Sequence, residues 1–430
     1  MIRFAQFTTL LTLTLATTNT IDAQIITDLD PVELPELEIF GRKEIFRQQD
    51  IPTSDGGEYL SRLSGISGSR MGGHGTDPII RGQGHDRTTV LLDGTGIHGG
   101  CPNRMDPPTS YAPVEFYDSV RVLKGPQTLV YGPGGTGGTV LFERTVTRFD
   151  GDEKLRASLD TGYTDNGGAW YVAADGTAGA PEGQVRLLAS TRSAGNYRDG
   201  DGEEVRSAYD QSGVCAIGAW TPSANAQLEL GGEYTTARDV LFAGARMDSP
   251  DSTSKVLRLR YRQSWEDGAL RGIDFDGGYA AVSHTMDNFS LRSNSMMWML
   301  VPSDTSVWTG RLNARIQAGI GEIQTGFNLK QTSADGTRYA GPPGSDPTMV
   351  NSYMWPAVER SAIGVFGEYR FNPDPESALI IGLRLDRFDN SADDTTLDPP
   401  GMMMSPDELY LYYYGRSAPR TPQNGLGALV

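Results

Sequence analysis

The sequence predicts a mainly β fold, in which a compact glycine-rich α/β unit precedes a long series of antiparallel strands. After Phe149, segments of roughly ten residues alternate in polarity and are separated by Gly, Asp, Asn or Pro turns. Alternation with period two gives each strand two unlike faces. Arg or Glu at alternate positions over many strands is typical of a transmembrane β-barrel with a polar lumen. A soluble β-sandwich or propeller is the alternative.

The N-terminus has the form of a secretory signal peptide. A short positive start precedes an apolar stretch at 7–16, and Ala23 offers a cleavage position. The stretch is short for a membrane span of about 20 residues, so we assign residues 1–23 as a signal peptide rather than an anchor. Export leaves either a secreted soluble protein or a membrane barrel, whose alternating strands hide its apolar face.

The composition is acidic and poor in cysteine, with a formal net charge of −17 and only Cys101 and Cys215. Nucleic acid is not an expected partner, because phosphate recognition needs a basic surface. Two cysteines allow one disulfide at most. Cys215 shares an apolar face with Ile217 and Ala219, which predicts a lipid-facing position away from Cys101 and disfavours that disulfide. No nucleophile–base constellation stands out, so we do not expect an enzyme.

Beyond the signal peptide, the chain divides into three parts. Residues 24–45 form a loose acidic leader, residues 46–149 form the compact unit, and residues 150–430 carry the alternating strands. In the compact unit we predict a helix at 57–63 and strands at 78–82, 88–94 and 119–124. Clear alternating segments follow at 155–160, 184–190, 256–262, 308–316 and 364–371.

Four ordered motifs lie within residues 50–142. They are DPIIRG at 77–82, RTTVLLDG at 87–94, VRVLKGP at 120–126 and LVYGPGGTGG at 129–138. A lone glycine cluster would indicate only tight turns, whereas four motifs in this order are specific. By them the chain resembles the TonB-dependent outer-membrane receptors, in which these motifs form the plug domain.

The resemblance implies an α/β plug domain, residues 46–149, inside a transmembrane antiparallel β-barrel in the outer membrane of a Gram-negative bacterium. Barrels of this family have about 22 strands, whereas residues 150–430 leave room for roughly 11–14. The chain also ends without the terminal aromatic residue usual in such barrels. We therefore expect a C-terminally truncated receptor whose open edge is not tolerated in lipid, and which does not insert stably alone.

The resemblance also implies partners. The leader, residues 24–45, is expected to hold a TonB box within 33–40, which adds a strand to a periplasmic partner. The implied partners are the TonB–ExbB–ExbD energising complex and the lipid of the outer membrane.

Two short pairs of soft or borderline metal ligands are far apart in the chain: Cys101 with Met105, and His284 with Met286. Pro102 suits the first position of a helical turn, which would put Cys101 and Met105 on one face. His284 and Met286 share a face if they lie on a strand. Thiolate and thioether ligands select Cu(I) over harder cations. From the residues alone, Met105 as a packing residue and His284 as a loop hydrogen-bonding residue remain alternatives.

Within the family, these pairs resemble those of the copper receptors of the OprC/NosA type, in which the first pair lies on the plug and the second on the barrel. The resemblance implies a copper site formed by Cys101, Met105, His284 and Met286, with Cu(I) as the bound cargo and import as the function. Either a copper ion or a copper chelate fits as that cargo.

The other histidines and the loop methionines carry weaker expectations. His98 lies near Cys101 and is a candidate for metal capture, whereas His74 and His85 are predicted to be surface residues. The loop methionines either pass copper inward or simply pack. They are Met296, Met297, Met299, Met349, Met354, Met402, Met403 and Met404.

Two other functions remain open from the sequence. One is a receptor for a siderophore or another metal chelate, in which Cys101 and Met105 are ordinary loop residues. The other is a passive adhesin or phage-binding surface protein, which would not depend on residues 24–45. Metal analysis separates the first from a copper receptor, and deletion of the leader separates the second.

Overall fold

The structure, a computed structural model, describes residues 52–125, 128–132, 135–374, 377–400, 404–417 and 423–429. The predicted signal peptide (1–23) and leader (24–45), with its TonB box at 33–40, lie outside these residues. Within the described ranges, no helix is long and apolar enough to cross a membrane.

The N-terminal unit, which we define as the described part of residues 52–149, combines one helix with two small sheets. Helix α1 (Gly56–Ser61) begins at Asp55, whose carboxylate accepts the N–H of Glu58 and so caps the helix. The helix predicted at 57–63 is therefore present and ends two residues earlier. The strands are β1 (Ile66–Ser69), β2 (Asp77–Ile80), β3 (Thr88–Leu92), β4 (Thr95–Gly96), β5 (Ser119–Leu123) and β6 (Gly138–Glu143).

Strands β1 and β2 pair antiparallel, while the other four form a sheet in the order β4-β3-β6-β5, with β3 and β6 parallel. The three strands predicted in this unit correspond to β2, β3 and β5. Short 3₁₀ helices lie at His85–Arg87, Pro108–Tyr111 and Val114–Phe116. The α/β character expected of this unit is confirmed.

The rest of the chain forms a separate sheet, here called the large sheet. It contains 12 strands, each antiparallel to its neighbours. Its strands are β7 (Leu155–Thr164), β8 (Ala169–Ala180), β9 (Gly183–Ala194), β12 (Tyr209–Ser223), β13 (Ala226–Val240), β14 (Asp248–Ser264), β15 (Leu270–Asp287), β16 (Trp298–Ala318), β17 (Gly321–Gly341), β18 (Met349–Asp374), β19 (Ser377–Ala392) and β20 (Gln423–Leu429). A small hairpin of β10 (Tyr197–Arg198) and β11 (Glu204–Val205) lies between β9 and β12 in the chain. Between β19 and β20 come a 3₁₀ helix (Asp394–Thr396) and helix α2 (Pro406–Tyr414).

The strand count agrees with the roughly 11–14 expected from chain length. Among the described residues, no pairing joins β7 to β20, so the large sheet is open. Several strands exceed the predicted length, and β18 has 26 residues. About 9–11 residues suffice to cross the hydrocarbon, so the longest strands continue beyond it.

The large sheet has two faces, as the alternation predicts. Along β12, Val214 and Trp220 are 54% and 59% exposed, whereas Cys215, Ile217 and Ala219 are buried. The prediction that Cys215 faces lipid was wrong. Both faces of this segment are apolar, so alternation identified the two faces without showing which one is turned inward.

The core lies between the N-terminal unit and the inward face of the large sheet. The N-terminal unit contributes large buried side chains, among them Tyr111, Phe116 and Phe142. They cluster with Cys215 of β12 and Val282 of β15, which line the sheet. This packing brings together residues that are far apart in the chain. We call the interface between the N-terminal unit and the large sheet the seam.

Candidate metal centre

The Cys101 segment forms a tight turn rather than the predicted helical turn. The N–H of Arg104 donates to the carbonyl of Cys101 at 2.9 Å, and Arg104 has a φ of 54°. Its guanidinium binds both oxygens of Asp77 at 2.9 Å, which holds this left-handed residue in place. Pro102 and Asn103 occupy the two central positions of the turn, where these residue types are favoured. Turn chemistry therefore outweighed the helix-starting preference of Pro102.

The second pair lies on β15, with both side chains turned inward. His284 and Met286 are 2% and 3% exposed, while Ser283 between Val282 and His284 is exposed. On neighbouring β14, the hydroxyl of Ser252 lies 2.5 Å from Nδ1 of His284. The expectation that His284 and Met286 share a strand face is therefore met.

The two pairs meet at the seam. Sγ of Cys101 lies 3.6 Å from Sδ of Met286, and Met105 belongs to the same buried cluster. One ligand atom each from Cys101, Asp106 and His284 lies within 4.8 Å of the others. We call Cys101, Met105, His284 and Met286 the sulfur site. Cys101 links the two pairs, because it contacts Met286 and lies near His284.

Backbone contacts fix the N-terminal unit against the large sheet beside the sulfur site. Ser303 of β16 donates to the carbonyl of Gly100 at 2.6 Å, and Thr305 donates to that of His98 at 2.9 Å. A Cβ atom on Gly100 would lie 2.3 Å from Cβ of His284. Only glycine permits this approach, which places Cys101 beside β15.

The environment of Cys101 keeps its thiol protonated. Burial raises the pKa of the Cys101 thiol to about 12, and the nearby Asp106 carboxylate acts in the same direction. Backbone N–H groups of the turn face the sulfur and partly oppose this shift. A metal that binds the sulfur must displace the proton, because the thiolate is the ligand.

The other histidines lie outside the sulfur site. His98 is partly buried, packs its ring edge-on against Trp355 at 5.5 Å, and has its pKa lowered by burial. His85 is exposed, as predicted. The surface prediction for His74 was wrong, since His74 is 3% exposed and packs on Tyr209.

The error over His74 has a structural cause. His74 is flanked by Gly73 and Gly75, which suggested a solvent loop. A Cβ on Gly73 would lie 2.0 Å from the carbonyl oxygen of Ser207, so this glycine marks close contact with the segment that leads into β12. A glycine-rich sequence alone does not distinguish a solvent-exposed loop from a segment that packs closely against another part of the chain.

The methionines differ in how exposed they are and in what they contact. Met296, Met297 and Met349 are exposed. Met354 and Met247 pack against the buried cluster that contains Cys101, Met105 and Met286. Met404 is partly buried, while Met402 and Met403 lie outside the described residues.

A second buried cluster joins the N-terminal unit to the large sheet. We call Asp93, Arg144, Glu233 and Arg258 the ionic cluster. Arg144 lies 2.6 Å from Asp93 and 2.8 Å from Glu233, and Arg258 lies 2.5 Å from Asp93 and 2.7 Å from Glu233. Arg144 also donates to Sγ of Cys215 at 2.7 Å. Both cysteines are free, so the Cys101–Cys215 disulfide is not present.

Comparison with known proteins identifies the two parts. Residues 36–139 match the TonB-dependent receptor plug domain, and residues 190–426 match the TonB-dependent receptor-like β-barrel. The chain belongs to the TonB-dependent receptor family. The N-terminal unit is its plug and the large sheet is part of its barrel. Members of this family are outer-membrane proteins of Gram-negative bacteria, and they are receptors and transporters rather than enzymes.

Among solved structures, this receptor is similar to the copper transporter OprC, with 29% identity and a TM-score of 0.74 over 88% of this chain and 57% of that one. The ferric citrate transporter FecA, at 18% identity and a TM-score of 0.62 over 82% of this chain and 56% of that one, shares the fold.

Curated relatives extend well beyond this receptor. The ferrienterobactin receptor of Escherichia coli (strain K12) is 25% identical over 244 residues, which cover 54% of this chain and 29% of the relative. The hemin receptor of Yersinia enterocolitica is 27% identical over 188 residues, which cover 40% and 26%. The matched regions thus span less than a third of each of these relatives.

Proposed function

We propose that this receptor binds copper, as Cu(I), at the plug–barrel seam and imports it, with Cys101, Met105, His284 and Met286 as the ligands. The observation that carries the proposal is the 3.6 Å separation of Cys101 Sγ from Met286 Sδ, across 185 positions of the chain. Three sulfur atoms and one imidazole favour Cu(I) over hard cations. The similarity to a copper transporter supports the same cargo.

Each part of the chain has its own role in this function. We infer a signal peptide at 1–23, a leader at 24–45 that binds the TonB–ExbB–ExbD complex, a plug at 46–149 and barrel strands over 150–430. Binding depends on the seam, whereas energised import depends on the leader. Removing residues 24–45 should leave copper binding intact and stop copper uptake by cells that carry the receptor.

The direct test is metal analysis of detergent-purified receptor after loading with Cu(I). We expect about one tightly bound copper per chain, and its loss in Cys101→Ala. Cys215→Ala is the matched control, because Cys215 is also a buried thiol but lies at the ionic cluster. Full copper content in Cys101→Ala, or none in the wild type, would show that the assignment is wrong.

A second candidate cargo is a metal chelate, and one observation favours it. A cavity of about 500 Å³ lies between the plug and β16–β19, with His98, Lys330 and Arg360 among its lining residues. Arg360 suits an anionic group of a chelate, and the volume of the cavity suits a small ligand. Competition between a copper chelate and free Cu(I) would separate the two: chelate binding that survives Cys101→Ala favours the cavity.

A further inference from the structure

We propose that Asp106 is a positioning residue of the sulfur site, which fixes the Cys101 thiol against His284 without binding the metal itself. This inference rests on the proposed function, since it concerns how the same site is assembled. Asp106 directly follows Met105 and is 5% exposed.

The contacts of Asp106 point to the Cys101 segment. Oδ2 accepts the N–H of Gly100 at 2.6 Å and the hydroxyl of Tyr111 at 2.6 Å. Oδ1 accepts the N–H of Cys101 at 2.7 Å. Two successive backbone N–H groups on one carboxylate fix the direction in which the Cys101 side chain leaves the backbone.

The same carboxylate faces the barrel half of the site. Oδ2 lies 3.6 Å from Nδ1 of His284, which Ser252 also contacts. The other ring nitrogen, Nε2, is buried and has no hydrogen-bond partner among the described residues. A metal-binding histidine typically has its second nitrogen held by a carboxylate or another polar group, so Nε2 is the nitrogen left for the metal.

The Asp106 oxygen that faces His284 is poorly placed to be a ligand. Both lone pairs of Oδ2 are engaged by the donors from Gly100 and Tyr111, whereas Oδ1 accepts the N–H of Cys101 and keeps one lone pair. A metal on Oδ2 would leave a buried donor without a partner, which is costly. Within the described part of the chain, no Arg or Lys side chain forms an ion pair with Asp106. A cation held by the neighbouring sulfur atoms would offset this buried charge without a bond to it.

The test uses Asp106→Asn in the full chain, with Asp152→Asn, an exposed position, as the matched control. The amide keeps the size of the side chain but turns one acceptor into a donor opposite a backbone N–H. We expect Cu(I) affinity to fall about 10–100-fold, which is the usual loss when a residue that positions metal ligands through hydrogen bonds is replaced. The copper X-ray absorption spectrum should keep its sulfur and nitrogen scatterers. A second light scatterer, nitrogen or oxygen, that is present in the wild type and disappears in Asp106→Asn would overturn the proposal, because Asp106 would then be a ligand.

A second readout needs no metal. In metal-free receptor, a small maleimide should label Cys101 faster in Asp106→Asn than in the wild type, while labelling of Cys215 stays unchanged. This holds even if the wild type binds no copper, so failure of the proposed function and failure of the Asp106 role are distinguishable. Wild-type values for both copper affinity and Cys101 labelling would overturn the role.

Tyr111→Phe covers the case in which Asp106→Asn does not fold. It removes one hydrogen bond to Oδ2 and leaves both backbone contacts in place. We expect weaker copper binding or faster Cys101 labelling, with a smaller change than in Asp106→Asn. Unchanged values on both measurements would overturn the proposal.

Discussion

The sulfur site and the ionic cluster both join plug to barrel, yet they differ in the charge and the chemistry of their side chains. In the ionic cluster two guanidinium groups face two carboxylates, all almost fully buried, and the four charges cancel. In the sulfur site a thiol, thioethers and an imidazole nitrogen lie together with unused lone pairs. The charges of the ionic cluster balance within the protein, whereas the sulfur site holds the soft ligands that we propose bind a cation.

This difference assigns separate roles to the two regions. A buried ion pair contributes little net stability, yet removing one partner leaves an uncompensated charge and is strongly destabilising. The ionic cluster should therefore hold the plug whether or not metal is present. Without copper, the sulfur site should contribute little to the free energy of unfolding. With copper bound, it should stabilise the interface between plug and barrel, because a ligand that binds only the folded state adds to its stability.

The largest expected effect comes from breaking the ionic cluster. Arg144→Ala leaves Asp93 and Glu233 with Arg258 and the more distant Arg260, which lies 3.5 Å from Asp93. It should lower the free energy of unfolding by about 3–5 kcal/mol. Thermal unfolding in detergent measures this. Arg387→Ala, at an exposed ion pair, is the control and should cost less than about 1 kcal/mol. Equal effects in the two variants would contradict the assigned role.

The next effect comes from the thioethers of the sulfur site. Met105→Ala and Met286→Ala should weaken Cu(I) binding without abolishing it, whereas Cys101→Ala should abolish it. The thiolate supplies charge as well as softness, so its loss matters most. Competition titration against a Cu(I) chelator gives the three affinities. A methionine variant as defective as Cys101→Ala would mean that the thiolate is not the principal ligand.

A smaller effect is expected from a side chain that fills the space between the plug and β15. Gly100→Ala places Cβ 2.3 Å from Cβ of His284, so the two segments must separate. Overpacking of this kind costs about 1–3 kcal/mol of stability, and copper affinity should fall with it. Gly218→Ala is the control, because nothing lies within 4 Å of its added Cβ. Wild-type copper affinity in Gly100→Ala would show that this close contact does not position the ligands.

The smallest effect concerns Cys215. Cys215→Ser replaces Sγ with an oxygen that can still accept from Arg144, so both stability and copper content should stay near wild-type values. Metal analysis and thermal unfolding of the same sample test both points. A loss of copper would link the two regions that the structure keeps apart.

Much of the fold was predictable, because local patterns determine it. The helix at 57–63 and the strands at 78–82, 88–94 and 119–124 follow from short motifs, and alternation indicated the strands of the large sheet. Alternation also placed His284 and Met286 on one face. The proximity of this pair to Cys101 came only from the family resemblance, since no local pattern encodes a contact across 185 positions.

The failures lie where a local pattern fits two environments. Cys215 lies on a strand that is apolar on both faces, so its inward direction depends on the plug that covers it. His74 lies between glycines that serve close packing rather than a solvent loop. Asp106 and Ser252 were missed, because a side chain that supports a ligand has no spacing rule of its own. The adjacency of Asp106 to Met105 was the one available signal.

The most direct test of the copper site is X-ray absorption spectroscopy of the copper-loaded receptor. We expect an edge typical of Cu(I), with three sulfur scatterers from Cys101, Met105 and Met286 and one nitrogen scatterer from His284. Cys101→Ala should lose the copper signal, while Cys215→Ala should keep it. A tetragonal site of nitrogen and oxygen ligands, or a spectrum unchanged in Cys101→Ala, would contradict the account.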